Sequence, residues 1–169
     1  MGTSQADAVA ELERLDEQYQ ELLRSLASAD WERRSTIGDG DWSLRDLVGH
    51  VMSWEELALA AIADAISGRK PPPPSGDIDQ INQDMVERQR QLSLEALRSG
   101  ATATHARLIQ TISELPPETW TRPMALGDDP PEELGEVVGG VLGAEDHPFG
   151  HLLAHLDDLR ALNLASGLD

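Results

Sequence analysis

The chain has 169 residues, with 31 acidic and 13 basic side chains, a formal net charge of −18 and no cysteine. The length predicts a single domain over residues 1–169 with a sizeable core, and the lack of cysteine excludes disulfides, a thiolate nucleophile and thiolate-bound zinc. Because affinity for phosphate backbones and anionic membranes comes largely from Lys and Arg, nucleic acid and membrane are not expected partners.

The first predicted element is an amphipathic helix within residues 4–29. Its apolar side chains recur at intervals of three and four residues, which places them on one helix face, while polar residues fill most other positions. The apolar set is Leu12, Leu15, Tyr19, Leu22 and Leu26.

The second predicted helix begins after Ser43. Ser43 is followed three residues later by Asp46, an acidic variant of the capping box that marks a helix start. An apolar stripe continues to Gly68, a typical helix end, and the prolines at 71–74 predict a short extended spacer.

A third helix is predicted over residues 77–114. A continuous helix of this size would be about 57 Å long, so we expect a break, which the Ser99 and Gly100 pair favours. Residues 115–145 are rich in proline and glycine and indicate at most a short helix.

The last predicted helix carries a leucine stripe and ends near Gly167. Asp146 or His147 is expected to cap it, with Pro148 at its first position. Four helices without period-two alternation predict an all-α four-helix bundle. No segment approaches the ~20 apolar residues of a membrane span, so we expect a cytoplasmic protein.

Histidines are the residues most able to carry chemistry. His151 and His155 are four residues apart, so their imidazoles lie side by side on one helix face and can chelate a divalent ion. His50 lies on the inward flank of the second helix, where it can supply a third ligand from across the bundle. A hydrogen-bonded core histidine and a chance pair are the alternatives.

Other polar residues carry weaker predictions. His147 is expected to be a neighbour of the site or a surface residue, and His105 to face solvent. Glu55 and Glu56 follow Trp54 and are candidates for a general base or for an acceptor behind a ligand, although a solvated surface is the commoner role. The carboxylate pairs at 128–129 and 157–158 are expected to be charged surface.

A longer pattern combines these features. Residues 42–50 read W-S-x-R-D-x-x-x-H, and together with the late H-x-x-x-H they resemble the DinB-like (YfiT/DfsB-type) superfamily of four-helix-bundle metalloenzymes. The resemblance covers nearly the whole chain, including Asn82 near the start of the third predicted helix. One departure is Leu152, where the DfsB-like branch often has an aromatic residue.

The resemblance implies a specific chemistry. It implies a divalent ion, nickel or zinc, on His50, His151 and His155, and a metal-dependent hydrolase or thiol-dependent transferase or isomerase acting on a small molecule. Because the chain has no cysteine, any sulfur must come from a low-molecular-weight thiol cosubstrate. A non-catalytic small-molecule-binding or scaffold bundle is the alternative, and a homodimer is compatible with both.

Overall fold

The computed structural model describes residues 2–34, 36–37, 41–69, 76–124, 130–144 and 147–166. The prolines at 71–74, the carboxylates at 128–129, Asp146 and Gly167 lie outside the described residues. The elements in chain order are α1 (Gln5–Ser25), a 3₁₀ turn (Ser28–Asp30), α2 (Leu44–Ser67), α3 (Ile78–Gln89), α4 (Leu94–Glu114), α5 (Pro117–Trp120), β1 (Pro123–Met124), β2 (Glu132–Glu133), α6 (Leu134–Val141) and α7 (His151–Ser166).

The long helices α1, α2, α4 and α7 form the bundle. Helix α2 packs against α3, α4, α6 and α7, while α1 packs against α4 and α7. The only described sheet pairs β1 with β2 antiparallel over two residues each. The all-α four-helix bundle predicted from the sequence is therefore confirmed.

Helix α2 starts where its capping pattern predicts. The Ser43 hydroxyl accepts a hydrogen bond from the Asp46 amide, and the Asp46 carboxylate accepts one from the Ser43 amide at 2.9 Å. The helix ends at Gly68, which adopts the left-handed conformation (φ 68°) that glycine tolerates best.

The third predicted helix is broken, as expected, but the break lies between α3 and α4, so its predicted position at Ser99 and Gly100 is wrong. The chain leaves the helical path after α3 and re-enters it at α4, where the Ser93 side chain caps the new helix by accepting from the Ala96 amide. Gly100 lies inside α4, and a Cβ there would lie 3.3 Å from the Met52 sulfur of α2. This glycine therefore allows two helices to approach closely, and it does not end one.

The predicted start of the last helix is also wrong. Helix α7 begins at His151, beyond Pro148, because Phe149 has a positive φ of 61° that no α-helix accommodates. The Phe149 side chain is buried, and its amide donates to the Gly139 carbonyl at 3.1 Å. Packing of Phe149 in the core therefore makes α7 begin later in the chain than the sequence predicts.

Two glycines on α6 provide a matched test of how closely α6 packs against Trp120. A Cβ at Gly135 would lie 2.5 Å from the buried Trp120 ring, whereas one at Gly140 would meet nothing within 4 Å. Because overpacking a core typically costs about 1–3 kcal/mol, we expect Gly135→Ala to lower the free energy of unfolding by that amount. Gly140→Ala is expected to raise it by up to about 1 kcal/mol through helix propensity. Urea unfolding of both variants checks this, and equal effects would contradict the packing.

Candidate metal centre

Helix α2 brings His50 into the bundle. His50 is 4% exposed and lies between the buried side chains of Leu47 and Val51 on the inner side of the helix. Because the capping box sets where α2 begins, it also sets the face on which His50 lies.

Helix α7 supplies the other two imidazoles. His151 is its first residue, and the His151 amide donates to the Leu142 carbonyl at 2.9 Å, which anchors the helix start. His155 follows one turn later, and the leucines at 152, 156 and 159 are buried in the core. The two histidines therefore lie side by side, next to the buried face of α7.

The three imidazoles converge on one point. The Nε2 atom of His151 lies 2.9 Å from Nε2 of His50 and 3.3 Å from Nε2 of His155. One ring nitrogen from each of the three histidines lies within 4.8 Å of the others. Nitrogen ligands on a tetrahedral ion with bonds of 2.0–2.1 Å are about 3.3 Å apart, similar to the two distances from His151, so these three nitrogens could hold a divalent ion.

The environment keeps these imidazoles neutral. Burial lowers the pKa of all three. For His50 and His151 the neighbouring imidazoles lower it further, to about 2 and about 3. For His155 burial also dominates, although Asp158 opposes it. Neutral imidazole is the form that binds a metal, so protons do not compete for the three nitrogens near neutral pH.

Asp158 orients His155. The Nδ1 atom of His155 lies 3.2 Å from the Asp158 carboxylate, which leaves Nε2 pointing toward the other histidines. A carboxylate behind a histidine ligand is the usual arrangement in metal sites. Asp158, expected to be charged surface, is half-buried with its carboxylate against His155, whereas Asp157 is exposed and pairs with Arg160 on α7, as expected. The i, i+3 spacing of His155 and Asp158 was the signal that sequence reasoning missed.

Two tryptophans line the histidine cluster. The rings of Trp42 and His50 have centroids 5.0 Å apart, and the Trp54 ring lies 6.4 Å from His50 and 6.1 Å from His151. The Trp54 indole donates to the Asn82 side-chain oxygen at 3.1 Å, so α3 fixes the orientation of this wall. Aromatic walls limit access of water to the three nitrogens.

The remaining sequence candidates lie elsewhere. His147 is largely exposed and lies near Glu11, as expected for a surface residue, and Glu56 is exposed. Two predictions are wrong: Glu55 is 4% exposed, and His105 is mostly buried, with its Nδ1 atom 2.6 Å from the Glu55 carboxylate. The contact of α2 with α4 covers both side chains, and neither belongs to the histidine cluster.

The fold and the site define a class. The chain is a member of the DinB/YfiT-like helical superfamily, which confirms the resemblance seen in the sequence. Within it, the chain belongs to the family described as the mycothiol maleylpyruvate isomerase N-terminal domain, which matches residues 12–145. The matched segment includes His50 and ends before His151.

Solved structures support the same fold. A mycothiol-dependent maleylpyruvate isomerase superposes with a TM-score of 0.70 at 17% identity, covering 93% of this chain and 61% of that one. A His→Ala mutant of that isomerase gives 0.69 at 16% identity with the same coverage. A protein from Streptococcus pneumoniae gives 0.70 at 16% identity, covering 96% of this chain and 93% of that one.

Two facts limit how far the similarity to known proteins extends. The chain spans about 61% of the length of the isomerase structures that it matches. No curated protein sequence matches it significantly.

None of the described helices is both long and apolar enough to cross a membrane.

Proposed function

We propose that this protein holds a divalent ion, zinc or nickel, on His50, His151 and His155 and acts on a small molecule together with a low-molecular-weight thiol. The observation that carries the proposal is the convergence of one ring nitrogen from each of His50, His151 and His155, all within 4.8 Å of one another. Membership of a family named for a mycothiol-dependent isomerase supports the thiol.

The ligand set is consistent with the proposed ions. Imidazole nitrogen suits zinc and nickel better than calcium or magnesium, which prefer oxygen. Three neutral ligands leave the full double charge on the ion and a coordination position open, and a bound ion would favour a thiolate over a thiol and polarise a carbonyl. The chain's net charge of −18 favours capture of a dication.

The surrounding residues have distinct roles in this proposal. Asp158 holds His155 with Nε2 directed inward, because its carboxylate accepts from Nδ1. Trp42 and Trp54 exclude water from the histidines, and Asn82 keeps the Trp54 indole in place. A drier site strengthens every electrostatic interaction within it.

Cobalt substitution tests the thiol directly. The chain has no cysteine, so a sulfur-to-cobalt charge-transfer band in the cobalt-loaded protein can arise only from an added thiol. We expect N-acetylcysteine to produce this saturable band, and its oxygen analogue N-acetylserine to produce none. Asp158→Asn is expected to weaken cobalt binding about 10–100-fold, because it replaces the charged carboxylate behind His155 with a neutral amide.

Two outcomes would contradict the proposal at different steps. Protein that binds no cobalt would refute the metal centre. Cobalt-loaded protein whose spectrum is unchanged by the thiol would refute the thiol cosubstrate and leave the metal centre standing.

A further inference from the structure

A cavity with both polar and apolar lining lies apart from the histidine cluster. It occupies about 120 Å³ between α1, α2 and α4, and Leu152 of α7 contributes to its wall. None of the three clustered histidines lines it. On α2, Val48, Met52 and Glu55 line the cavity, whereas His50 faces the cluster, so the helix presents a different side to each site.

The deep part of the cavity contains an acid–base pair. The Glu55 carboxylate lies 2.6 Å from Nδ1 of His105, and Asp16 lies 3.7 Å from Nε2 of the same ring. Burial raises the pKa of Glu55, while for His105 the Glu55 hydrogen bond and nearby carboxylates outweigh burial and raise its pKa. The two side chains therefore hold a proton between them.

Tyr19 lines this cavity and carries a buried, unpaired hydroxyl. The residue is 4% exposed, and within the described part of the chain no atom forms a hydrogen bond with its buried hydroxyl. Burial raises the pKa of Tyr19 far above its ordinary value, so the phenol stays protonated and can donate. A buried polar group without a partner costs about 1–3 kcal/mol, a cost that a ligand in the cavity would offset.

The outer part of the cavity is positively charged. Arg24 and Arg98 line it, and the Arg98 guanidinium lies 4.6 Å from the centre of the Trp31 ring. Among the described residues neither arginine forms an ion pair, although acidic side chains outnumber basic ones by 31 to 13. Two unpaired guanidinium groups beside one cavity favour a carboxylate ligand.

We propose that this cavity is a binding site for a small hydroxycarboxylate, with its carboxylate on Arg98 and Arg24 and its hydroxyl between Tyr19 and the Glu55–His105 pair. An engineered cavity of about 150 Å³ holds benzene, so the available volume suits roughly five to seven non-hydrogen atoms. The site is independent of the proposed metal centre.

Three probes test the two halves of the site by isothermal titration calorimetry. We expect 3-hydroxybutyrate to bind saturably, and butyrate and 1,3-butanediol each to bind about tenfold more weakly or undetectably, since each lacks one recognised group. Saturable binding of butanediol as tight as that of 3-hydroxybutyrate would overturn the carboxylate assignment. If none of the three saturates, the cavity holds water only and the proposal is wrong.

Variants separate recognition from folding. Tyr19→Phe is expected to reduce the preference for 3-hydroxybutyrate over butyrate to about threefold or less, because it removes only the hydroxyl. Arg98→Gln is expected to weaken both acids about tenfold, whereas Arg107→Gln, at an exposed position on the same helix outside the cavity, changes neither. Unchanged zinc binding and a free energy of unfolding in urea at least equal to that of wild type show that Tyr19→Phe is folded, since the variant lacks only an unpaired buried hydroxyl. Wild-type ligand preference in that folded variant would refute the site.

Discussion

Replacing His151 with alanine will abolish tight binding of zinc or nickel, while replacing His147 with alanine will leave it unchanged. Both histidines precede or begin α7 and are four residues apart, but only His151 lies within 3.3 Å of two other imidazole nitrogens. Loss of a direct ligand should weaken binding more than the about 10–100-fold that loss of an outer partner costs. His147, whose side chain is 54% exposed, is the matched control.

Thermal unfolding gives the second readout. In wild-type protein, free metal at about 1,000 times Kd stabilises the fold by about 4 kcal/mol. At roughly 2–4 °C per kcal/mol for a domain of this size, Tm should rise by about 8–16 °C. The His151→Ala variant should show no such rise. The measurement needs untagged protein and a competing chelator, because the 31 acidic side chains bind cations weakly. Wild-type protein that binds no added zinc, nickel or manganese would refute the centre.

We expect a second large effect, on stability, from substitution of Asp46, whose carboxylate joins the start of α2 to Arg90 at the end of α3. Its carboxylate oxygens lie 2.8 and 2.9 Å from the Arg90 guanidinium, and one of them also accepts from the Ser43 amide. Asp46→Asn keeps the shape and removes the charge, leaving a largely covered guanidinium unpaired. Because Arg90 retains partial exposure, we expect a loss of about 2–4 kcal/mol in the free energy of unfolding, somewhat below that of a fully buried pair.

Urea unfolding with a matched control checks this value. Asp157→Asn removes the same charge from the exposed pair with Arg160 and should change stability by less than about 0.5 kcal/mol. A double-mutant cycle with Arg90→Gln should show strong coupling, since the partners interact directly. A cost for Asp46→Asn no larger than that of the control would contradict the assigned role.

The Asp46–Arg90 ion pair predicts that the stability of the protein falls in acid. Burial alone would raise the pKa of Asp46, but Arg90 and the Ser43 hydrogen bonds outweigh it and hold the pKa below the ordinary aspartate value. As the pH falls, Asp46 is therefore protonated in the unfolded chain before it is protonated in the folded protein. The contribution of Asp46 to stability is complete above a pH of about 4 and is lost as the pH falls through the lowered pKa, so the difference between wild type and Asp46→Asn should narrow there.

Local signals predicted much of the fold correctly. The start of α2 depends on Ser43 and Asp46, three residues apart, and its end depends on Gly68. The stripe of α1 is equally local, and its members Leu12, Leu15 and Tyr19 are all buried. Such features need no distant partner, which is why a single sequence reveals them.

The errors share one cause, which is packing between distant segments. Gly100 suggested a helix break, yet it is helical because α4 must approach Met52 of α2. A glutamate on a helix is usually solvated, and His105 lies between Thr104 and Ala106, which suggests a solvated face. Glu55 and His105 nevertheless meet across 50 residues of sequence and become buried together. No local pattern contains that contact.

For the candidate metal centre, too, the sequence predicted the local features but not the contacts between distant segments. The sequence by itself determined that the protein is acidic, free of cysteine and helical, and that His151 and His155 share a helix face, because a spacing of four residues sets that geometry within one turn. Only the tertiary structure decided that His50, 101 residues before His151, lies 2.9 Å from it, and that Tyr19 lines a separate cavity together with residues of α2 and α4. The physical reason is that side-chain burial and approach between helices are properties of the packed bundle, to which residues far apart in the chain contribute together.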